Sequence, residues 1–426
     1  MSSSFQAESV VLSTIFNGLR SKSSEERERA GKELQNYFQS LGAEDQEEIT
    51  PRPNNDINKK IFEFLRSQDV NAQLGGITAI DKLLDVYQAD DMSTKVTRFS
   101  NYLRSVIPTS DIEVLRAAVK VMGKLTAYDG LASDIVQFEV TRAIEWLQSD
   151  RQESRRHSAV LMITALATRS PTLLYSYINQ IMDVIWVGLR DPKVIIRVDT
   201  AEALNACLDL MRDRDNSARQ ACYTKILEEA QAGFRIGTTE TIHGSLLALR
   251  ELLKNGDLFM QSRYSETCEL VLRYKDSKDV LVRRTVLSIL PDLAKYNRVE
   301  FTKKYLSDSM SHLISQFKKE RERALVFLSI GKIGFEVKSN IAYYLDPILN
   351  NVKESLTSKG YAIFFCLFLL SEIMLTVILP DAIARNKRPL YLSVSSCSLK
   401  LWDKFFLSIL QVKCLICFFL VVSVSL

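Results

Sequence analysis

Residues 191–210 read DPKVIIRVDTAEALNACLDL, and this stretch decides the fold. Asp191 followed by Pro192 is typical of a helix start, because an Asp side chain caps backbone N–H groups and proline suits the first helical turn. Beyond them, apolar residues recur every three or four positions, which is the spacing of one face of an α-helix. The stretch therefore predicts a capped amphipathic helix. Its apolar stripe comprises Val194, Val198, Ala201, Leu204 and Leu208.

The same form recurs along the chain: an aspartate, an arginine five or six residues later, and then a helical apolar stripe. Looser examples lie around Arg27 and Arg323, and apolar helices at Leu74–Leu84 and around His243 fill the remaining intervals. The resulting period is about 40–47 residues, which is typical of HEAT and armadillo repeats with two helices per unit. The four clear segments are DIEVLR at 111–116, DRQESRR at 150–156, DPKVIIR at 191–197 and DVLVRR at 279–284.

This period predicts an all-α fold, an α-solenoid of HEAT/armadillo-type helix pairs. We expect about eight pairs within residues 1–356. A single pair cannot bury its own apolar face, so neighbouring pairs must stack. A stacked surface suits long protein partners and has few of the deep polar pockets in which chemistry occurs. The sequence therefore predicts a scaffold for protein–protein interaction, and no enzyme in the chain as it stands.

Charge and cysteine content exclude several classes of protein. The net charge is +4, and residues 361–426 alone hold three more basic than acidic side chains. The first 360 residues are thus almost neutral, so we expect no nucleic-acid partner. The seven cysteines are an odd number spread along the chain, as in reduced proteins. Because the N-terminus also lacks a secretory signal pattern, we expect a cytoplasmic protein.

No motif predicts catalysis, a cofactor or a metal. The sequence contains no glycine-rich phosphate-binding loop. Asp213–Asn216 resembles a kinase catalytic loop superficially but lacks the required spacing between its Asp and Asn. The three histidines, at 157, 243 and 312, lie in separate repeats. The Cys-x-x-Cys of Cys414–Cys417 has no second pair or nearby histidine. We therefore expect no catalytic, cofactor-binding or metal-binding residues.

The recurring aspartates and arginines have two interpretations. They form either a basic ladder for an acidic partner or a network in which each Arg meets a capping Asp of its own or the next unit. Because repeats contact mainly their nearest neighbours, we favour the network. These structural repeat positions are Asp111, Asp150, Asp191, Asp279, Arg116, Arg156, Arg197 and Arg284.

Residues 357–426 depart from the repeat pattern. Ala362–Leu379 is almost wholly apolar and lies near the lower limit of about 17–25 residues for a membrane helix. Glu372 near its centre opposes insertion. A second apolar stretch covers Phe405–Leu426. Three interpretations stay open: a non-native continuation, a terminal cap on the last repeat, or a membrane-associated segment. Membrane contact is expected through this tail only.

Several stretches resemble the target of rapamycin (TOR) protein kinase family. FQAESVVLSTIFNGL at 5–19 resembles the start of that family's sequence. FEVTRAIEWL at 138–147 and DRQESRRHSAVL at 150–161 resemble a later part, and residues 242–247 and 287–293 fit the same family. The resemblance follows the family's own order through roughly the first 355 residues.

The resemblance implies the N-terminal HEAT solenoid of such a kinase, a region remote from its catalytic domain. It implies binding of a Raptor-type substrate-recruiting subunit, assembly into a dimeric complex, and a role in growth control. It also implies a location at the vacuole or lysosome surface. The family's Ser/Thr kinase activity belongs to a later domain, which we expect this chain to lack together with the FAT and rapamycin-binding segments. Two alternatives stay open: a truncated form of the full kinase, and a membrane-tethered HEAT protein.

Overall fold

The computed structural model describes residues 2–40, 53–86, 92–128, 132–212 and 216–356. These residues form helices joined by short turns, and they contain no strand. The predicted all-α class is confirmed. The tail 357–426 and the Cys414–Cys417 pair lie outside the described residues, as does most of the Asp213–Asn216 loop. The predictions made for these segments therefore stay predictions.

The chain divides into two compact units, Met1–Glu229 and Ala230–Leu426. The sequence predicted a single array through residue 356 and contains no linker signal near Glu229. The division falls inside a helix, Asn216–Ile236, which contains no proline and only one glycine. A boundary inside a continuous helix is invisible to an analysis that finds boundaries from breaks in helical sequence.

The first unit contains five helix pairs in the residues described. In each pair the second helix begins a few residues after the first ends. Their bounds are α1 Ser2–Leu19 with α2 Ser24–Ser40, α3 Pro53–Arg66 with α4 Val70–Leu84, α5 Met92–Val106 with α6 Ile112–Leu125, α7 Ala132–Ser149 with α8 Glu153–Arg169, and then, after the short α9 Pro171–Leu174 and a 3-10 turn at Tyr175–Tyr177, α10 Ile178–Leu189 with α11 Val194–Arg212.

The second unit begins inside α12, the helix Asn216–Ile236, and continues the alternation with a few short insertions. Its further elements are α13 Thr239–Asn255, α14 Asp257–Gln261, α15 Tyr264–Arg273, α16 Val280–Tyr296, α17 Arg298–Glu300, a π-helical turn at Phe301–Tyr305, α18 Leu306–Gln316, α19 Glu320–Val337, a 3-10 segment at Lys338–Tyr344, and α20 Leu345–Leu356.

Second helices pack on second helices. In the first unit this makes a continuous layer through α2, α4, α6, α8 and α11. In the second unit the layer runs through α13, α16 and α19. First helices such as α7 and α18 pack on their own partners, α8 and α19. Each helix pair thus buries the apolar face of its neighbour, which that neighbour could not bury by itself. This mutual burial stabilises a solenoid.

The stripe predicted on α11 is buried along the helix and exposed at its start. Ala201, Leu204 and Leu208 are fully buried, Val198 is partly buried, and Val194 is 43% exposed. Val194 is the first residue of the helix, so its side chain lies over the preceding turn. Ile196 lies off the stripe and is also buried, because α8 and α10 pack against different sides of α11. A single stripe therefore underestimates the surface that a second helix buries.

The cap of α16 provides a local test of this fold. Asp279 is the N-cap, and its carboxylate accepts a hydrogen bond from the backbone N–H of Val282 at 3.0 Å. Replacing Asp279 by alanine removes this acceptor, so we expect the free energy of unfolding to fall by about 1 kcal/mol. Urea unfolding followed by circular dichroism measures the change. Lys278→Ala, at the exposed neighbour, is the control, and equal midpoints for the two variants would contradict the capping role.

Candidate functional site

Two of the four predicted aspartates are N-caps. Asp111 caps α6, and its carboxylate accepts a hydrogen bond from the N–H of Val114 at 2.9 Å. Asp279 does the same for α16. Both carboxylates satisfy backbone donors that the first turn of a helix leaves unpaired. These residues therefore define where a second helix starts.

The other two aspartates, Asp150 and Asp191, lie one short turn earlier. Their carboxylates accept hydrogen bonds from the backbone N–H groups of Gln152 and Lys193, both at 2.8 Å. The interpretation of Asp191 as the N-cap of α11 is wrong, because that helix begins at Val194. Asp191 instead shapes the turn before the helix, which leaves its second oxygen free to meet another repeat.

An arginine in the first turns of the second helix ties the preceding turn to that helix. The Nη1 group of Arg197 donates to the backbone carbonyl oxygens of Asp191 at 2.5 Å and Pro192 at 3.1 Å. The guanidinium thus donates hydrogen bonds to carbonyl oxygens that precede the helix and would otherwise lack a partner in the described part of the protein. The arginines that make this same pair of bonds, to residues six and five positions earlier, are Arg27, Arg156, Arg197 and Arg283.

Two predicted arginines lie one residue past this repeat position. The position belongs to Leu115 in α6 and to Arg283 in α16, not to Arg116 and Arg284. One residue rotates a side chain by about 100° around a helix axis, so Arg116 and Arg284 point away from the turn. Both are exposed, and Arg284 makes no ion pair within the described chain. The prediction that Arg116 and Arg284 occupy the same repeat position as Arg156 and Arg197 is therefore wrong.

Some of these side chains join neighbouring repeats. The Nε of Arg156 in α8 lies 2.6 Å from an oxygen of Asp191, at the start of the next pair. This hydrogen bond raises the pKa of the Arg156 guanidinium. In the second unit the Nη2 of Arg283 lies 3.2 Å from the buried carboxylate of Glu322 in α19. These contacts support the network interpretation for the positions they involve.

A buried carboxylate joins three consecutive second helices. Asp199 of α11 is 2% exposed, and its Oδ2 lies 2.5 Å from the Nε2 of His157 in α8. The Nη2 of Arg116 in α6 reaches both oxygens of the same carboxylate at 3.0 Å. Arg116 thus binds a helix two repeats away, past the intervening α8. This junction goes beyond nearest-neighbour coupling.

Sequence analysis did not find Asp199 or Glu322. Both are acids in the first turns of a second helix that is otherwise rich in apolar residues, and that is the signal that could have drawn attention to them. A charged side chain is almost never fully buried unless it is paired. An acid on the buried side of a predicted helix therefore predicts a basic partner on a neighbouring helix. Its identity depends on packing that one sequence does not reveal.

The described residues do not assemble a catalytic constellation. They contain no group of three His, Cys, Asp or Glu side chains that could hold a metal ion. His157 is committed to Asp199, and burial lowers the pKa of His312. Among the helices described, none is both long and apolar enough to cross a membrane. What the geometry provides is a layer of helices held in place by buried polar contacts.

Comparison with known proteins identifies the sequence. The chain is 40% identical over 345 residues to the serine/threonine-protein kinase tor1 of Schizosaccharomyces pombe, a match covering 81% of this chain and 15% of that protein. It is 38% identical over 366 residues to TOR2 of Saccharomyces cerevisiae, covering 82% and 15% respectively. The Arabidopsis thaliana kinase TOR is 36% identical over 303 residues, covering 70% and 12%. The chain belongs to the target of rapamycin family.

These relatives confirm the resemblance seen in the sequence and set its extent. The chain spans about 15% of the length of the yeast TOR kinases that it matches. No family model matches the chain. The kinase activity named for these relatives therefore belongs to proteins far longer than the matched region.

Solved structures confirm the fold of this TOR region. Yeast importin-β, Kap95p, has a TM-score of 0.53 at 13% sequence identity, covering 88% of this chain and 47% of its own. A second importin-β structure has a TM-score of 0.52 at 14% identity, covering 87% and 47%. At such identities the likeness concerns the fold alone. It confirms the predicted α-solenoid of HEAT/armadillo type.

The described thiols of this TOR-family chain should be unreactive. Burial raises the pKa of Cys207 to about 12, of Cys222 to about 11 and of Cys268 to about 12. Because the thiolate is the reactive form, alkylation at pH 8 should be at least about a hundredfold slower in the native chain than in urea. Iodoacetamide labelling with peptide mass spectrometry measures each site. Native labelling of Cys207 at the rate seen in urea would contradict its burial.

Proposed function

We propose that this chain is an interaction scaffold of target of rapamycin assemblies and binds a Raptor-type regulatory subunit. The observation that supports this most is the run of stacked second helices, whose buried polar groups hold neighbouring repeats together. Arg156, Asp191 and Asp199 are used in this way. A surface of stacked helices suits a large protein partner, because its helices are already ordered before binding.

The direct test is binding of the full chain to the Raptor-type subunit of the same organism. Size-exclusion chromatography with light scattering should show a complex of both proteins, and calorimetry should give a dissociation constant near or below the micromolar range. Importin-β is the matched control, because it shares the fold but not the sequence. Separate elution of the two proteins at micromolar concentration, or equal binding by importin-β, would overturn the proposal.

We also propose that the chain dimerises and resides in the cytoplasm at the vacuole or lysosome surface, as the family resemblance implies. Light scattering of the chain alone, over a range of concentrations, tests self-association. Co-fractionation with vacuolar or lysosomal markers tests the location. A protein that is monomeric throughout and absent from those membranes would refute both statements and leave subunit binding to be judged separately.

A second candidate function comes from the relatives themselves, which are serine/threonine-protein kinases. Here the chain serves as one region of a longer kinase. An antibody raised against residues 1–340 distinguishes the two on a blot of the native organism. A band several-fold above the 48.5 kDa of this chain favours the kinase, and a band near that mass favours the separate scaffold. Resistance of the smaller product to alkaline extraction would favour a membrane-tethered form.

A further inference from the structure

The motif FEVTRAIEWL, residues 138–147, carries a cluster of aromatic and arginine side chains. On α7 the ring of Phe138 lies between two guanidinium groups, with Cζ of Arg104 at 4.1 Å and Cζ of Arg142 at 5.5 Å from its centroid. Arg142 also lies 4.6 Å from the ring of Trp146, and Arg155 of α8 lies 5.8 Å from it. We call these five residues the arginine–aromatic face. It joins the first helices α5 and α7 to the start of α8.

Glu139 fixes the arginines from beneath. Its side chain is fully buried, and one oxygen accepts a hydrogen bond from the Nε of Arg104 at 2.8 Å. The other oxygen accepts from Arg142. Burial lowers the pKa of the Arg142 guanidinium; the nearby charge of Arg104 adds to this effect and Glu139 opposes it. The arginines are therefore held in place before any partner arrives, which reduces the entropy lost on binding.

The outward side of this face carries an exposed aromatic ring and partly exposed guanidinium groups. Phe138 is 49% exposed, so part of its ring is open to a ligand. The side chain of Arg155 is 41% exposed, and its Nη1 donates a hydrogen bond to the carboxylate of Asp150 at 2.8 Å. Asp134 and Glu145 are exposed acids on the same helix, yet neither forms an ion pair with the three arginines.

The side chains of Arg104 and Arg142 are 21% and 15% exposed. Each of the three guanidinium groups has N–H groups beyond those bound to Glu139, Asn101 and Asp150, and these are the donors open to a ligand.

We propose that the arginine–aromatic face binds an acidic segment of a partner protein, with carboxylates on the free guanidinium N–H groups and an apolar side chain against Phe138. Arginine is suited to this task because its planar fork pairs with carboxylates and stacks on aromatic rings. A single-stranded nucleic acid could use similar groups. The near-neutral chain offers no extended basic track for a phosphate backbone, which favours the peptide.

The inference rests on the proposed scaffold function only in that the ligand is a protein. Its test uses no Raptor-type subunit, so either proposal can fail without the other. The probe is a short fluorescein-labelled peptide of glutamates interspersed with leucines, and the matched peptide has glutamine at every glutamate. Fluorescence anisotropy with the full chain should show binding of the glutamate peptide that weakens with salt, and much weaker binding of the glutamine peptide.

Phe138→Ala should weaken binding of the glutamate peptide about fivefold, since a cation–aromatic contact and an apolar anchor are lost. Phe335→Ala is the matched control, because Phe335 is a 61% exposed phenylalanine in the other unit. Phe138→Trp retains a ring and should restore binding, which separates recognition from misfolding. Equal effects of the two alanine variants, equal affinity for both peptides, or displacement of the glutamate peptide by single-stranded oligonucleotide would overturn the proposal.

Discussion

Replacing Asp199 by alanine is expected to lower the free energy of unfolding of the first unit by about 2–3 kcal/mol. The substitution leaves buried His157 without its carboxylate at 2.5 Å and releases Arg116 from α11. The expected loss is smaller than the roughly 3–5 kcal/mol typical of a broken buried ion pair, because Arg116 can turn into water. Urea unfolding by circular dichroism, with hydrogen exchange measured on α8 and α11, tests the value.

Arg116→Gln is the matched control for this variant. It removes the exposed partner of the junction, whose side chain is 49% exposed, and keeps the buried pair of Asp199 and His157. Because solvent screens an exposed charge, we expect a loss below about 1 kcal/mol. Equal losses for the two variants would mean that the junction is a surface ion pair and not a buried link across three helices.

Gly75→Ala has the second large expected effect, in a different repeat. A Cβ atom at Gly75 in α4 would lie 2.2 Å from the backbone carbonyl oxygen of Leu19, the last residue of α1. A backbone atom at the end of a packed helix cannot rotate away as a side chain can. Although alanine is the better helix former, the overpacking should outweigh this gain and give a net loss of about 2 kcal/mol. Thermal or urea unfolding measures it.

Gly123→Ala, within α6, isolates the steric cause. There the nearest atom to an added Cβ is the Cβ of Ala165 at 3.2 Å, so a shift of a few tenths of an ångström suffices. The higher helix propensity of alanine should offset that cost, and the stability should change by less than about 0.5 kcal/mol. If Gly75→Ala proved as stable as Gly123→Ala, the close approach of α1 and α4 would be wrong.

The helix pairs could be predicted because their signals are local. The turn aspartates and the first-turn arginines recur in the sequence, and Arg156 and Arg197 occupy the same structural position roughly 41 residues apart. Apolar spacing placed a stripe on α11 that includes Ala201, Leu204 and Leu208, and all three are buried. Propensity, capping and apolar period all act within a few turns of helix, so one sequence contains them.

The positions of the repeat aspartates and arginines relative to the start of each second helix could not be predicted. The four aspartates look equivalent in the sequence, but they are not equivalent in the structure. Asp150 and Asp191 shape the turn two residues before the N-cap position, whereas Asp111 and Asp279 are N-caps. That difference appears in the sequence as an Asp-to-Arg spacing of six residues in one group and five in the other. Arg116 and Arg284, chosen as the arginines that follow Asp111 and Asp279 at a spacing of five, each lie one residue past the structural position.

The contacts that join repeats were beyond prediction for a different reason. Asp199 meets Arg116 across two repeats, and Glu139 meets Arg104 from a different first helix. Each pairing depends on the offset and angle between packed helices, which follow from many side chains together.

Hydrogen exchange of the full chain, with and without the Raptor-type subunit, tests the scaffold account most directly. Amides of helices exchange slowly where a partner covers them or suppresses local opening. The account predicts slower exchange across several consecutive repeats in one helix layer of a unit, with the layer's fold unchanged. Protection confined to a single loop, or identical exchange with and without the subunit, would contradict it.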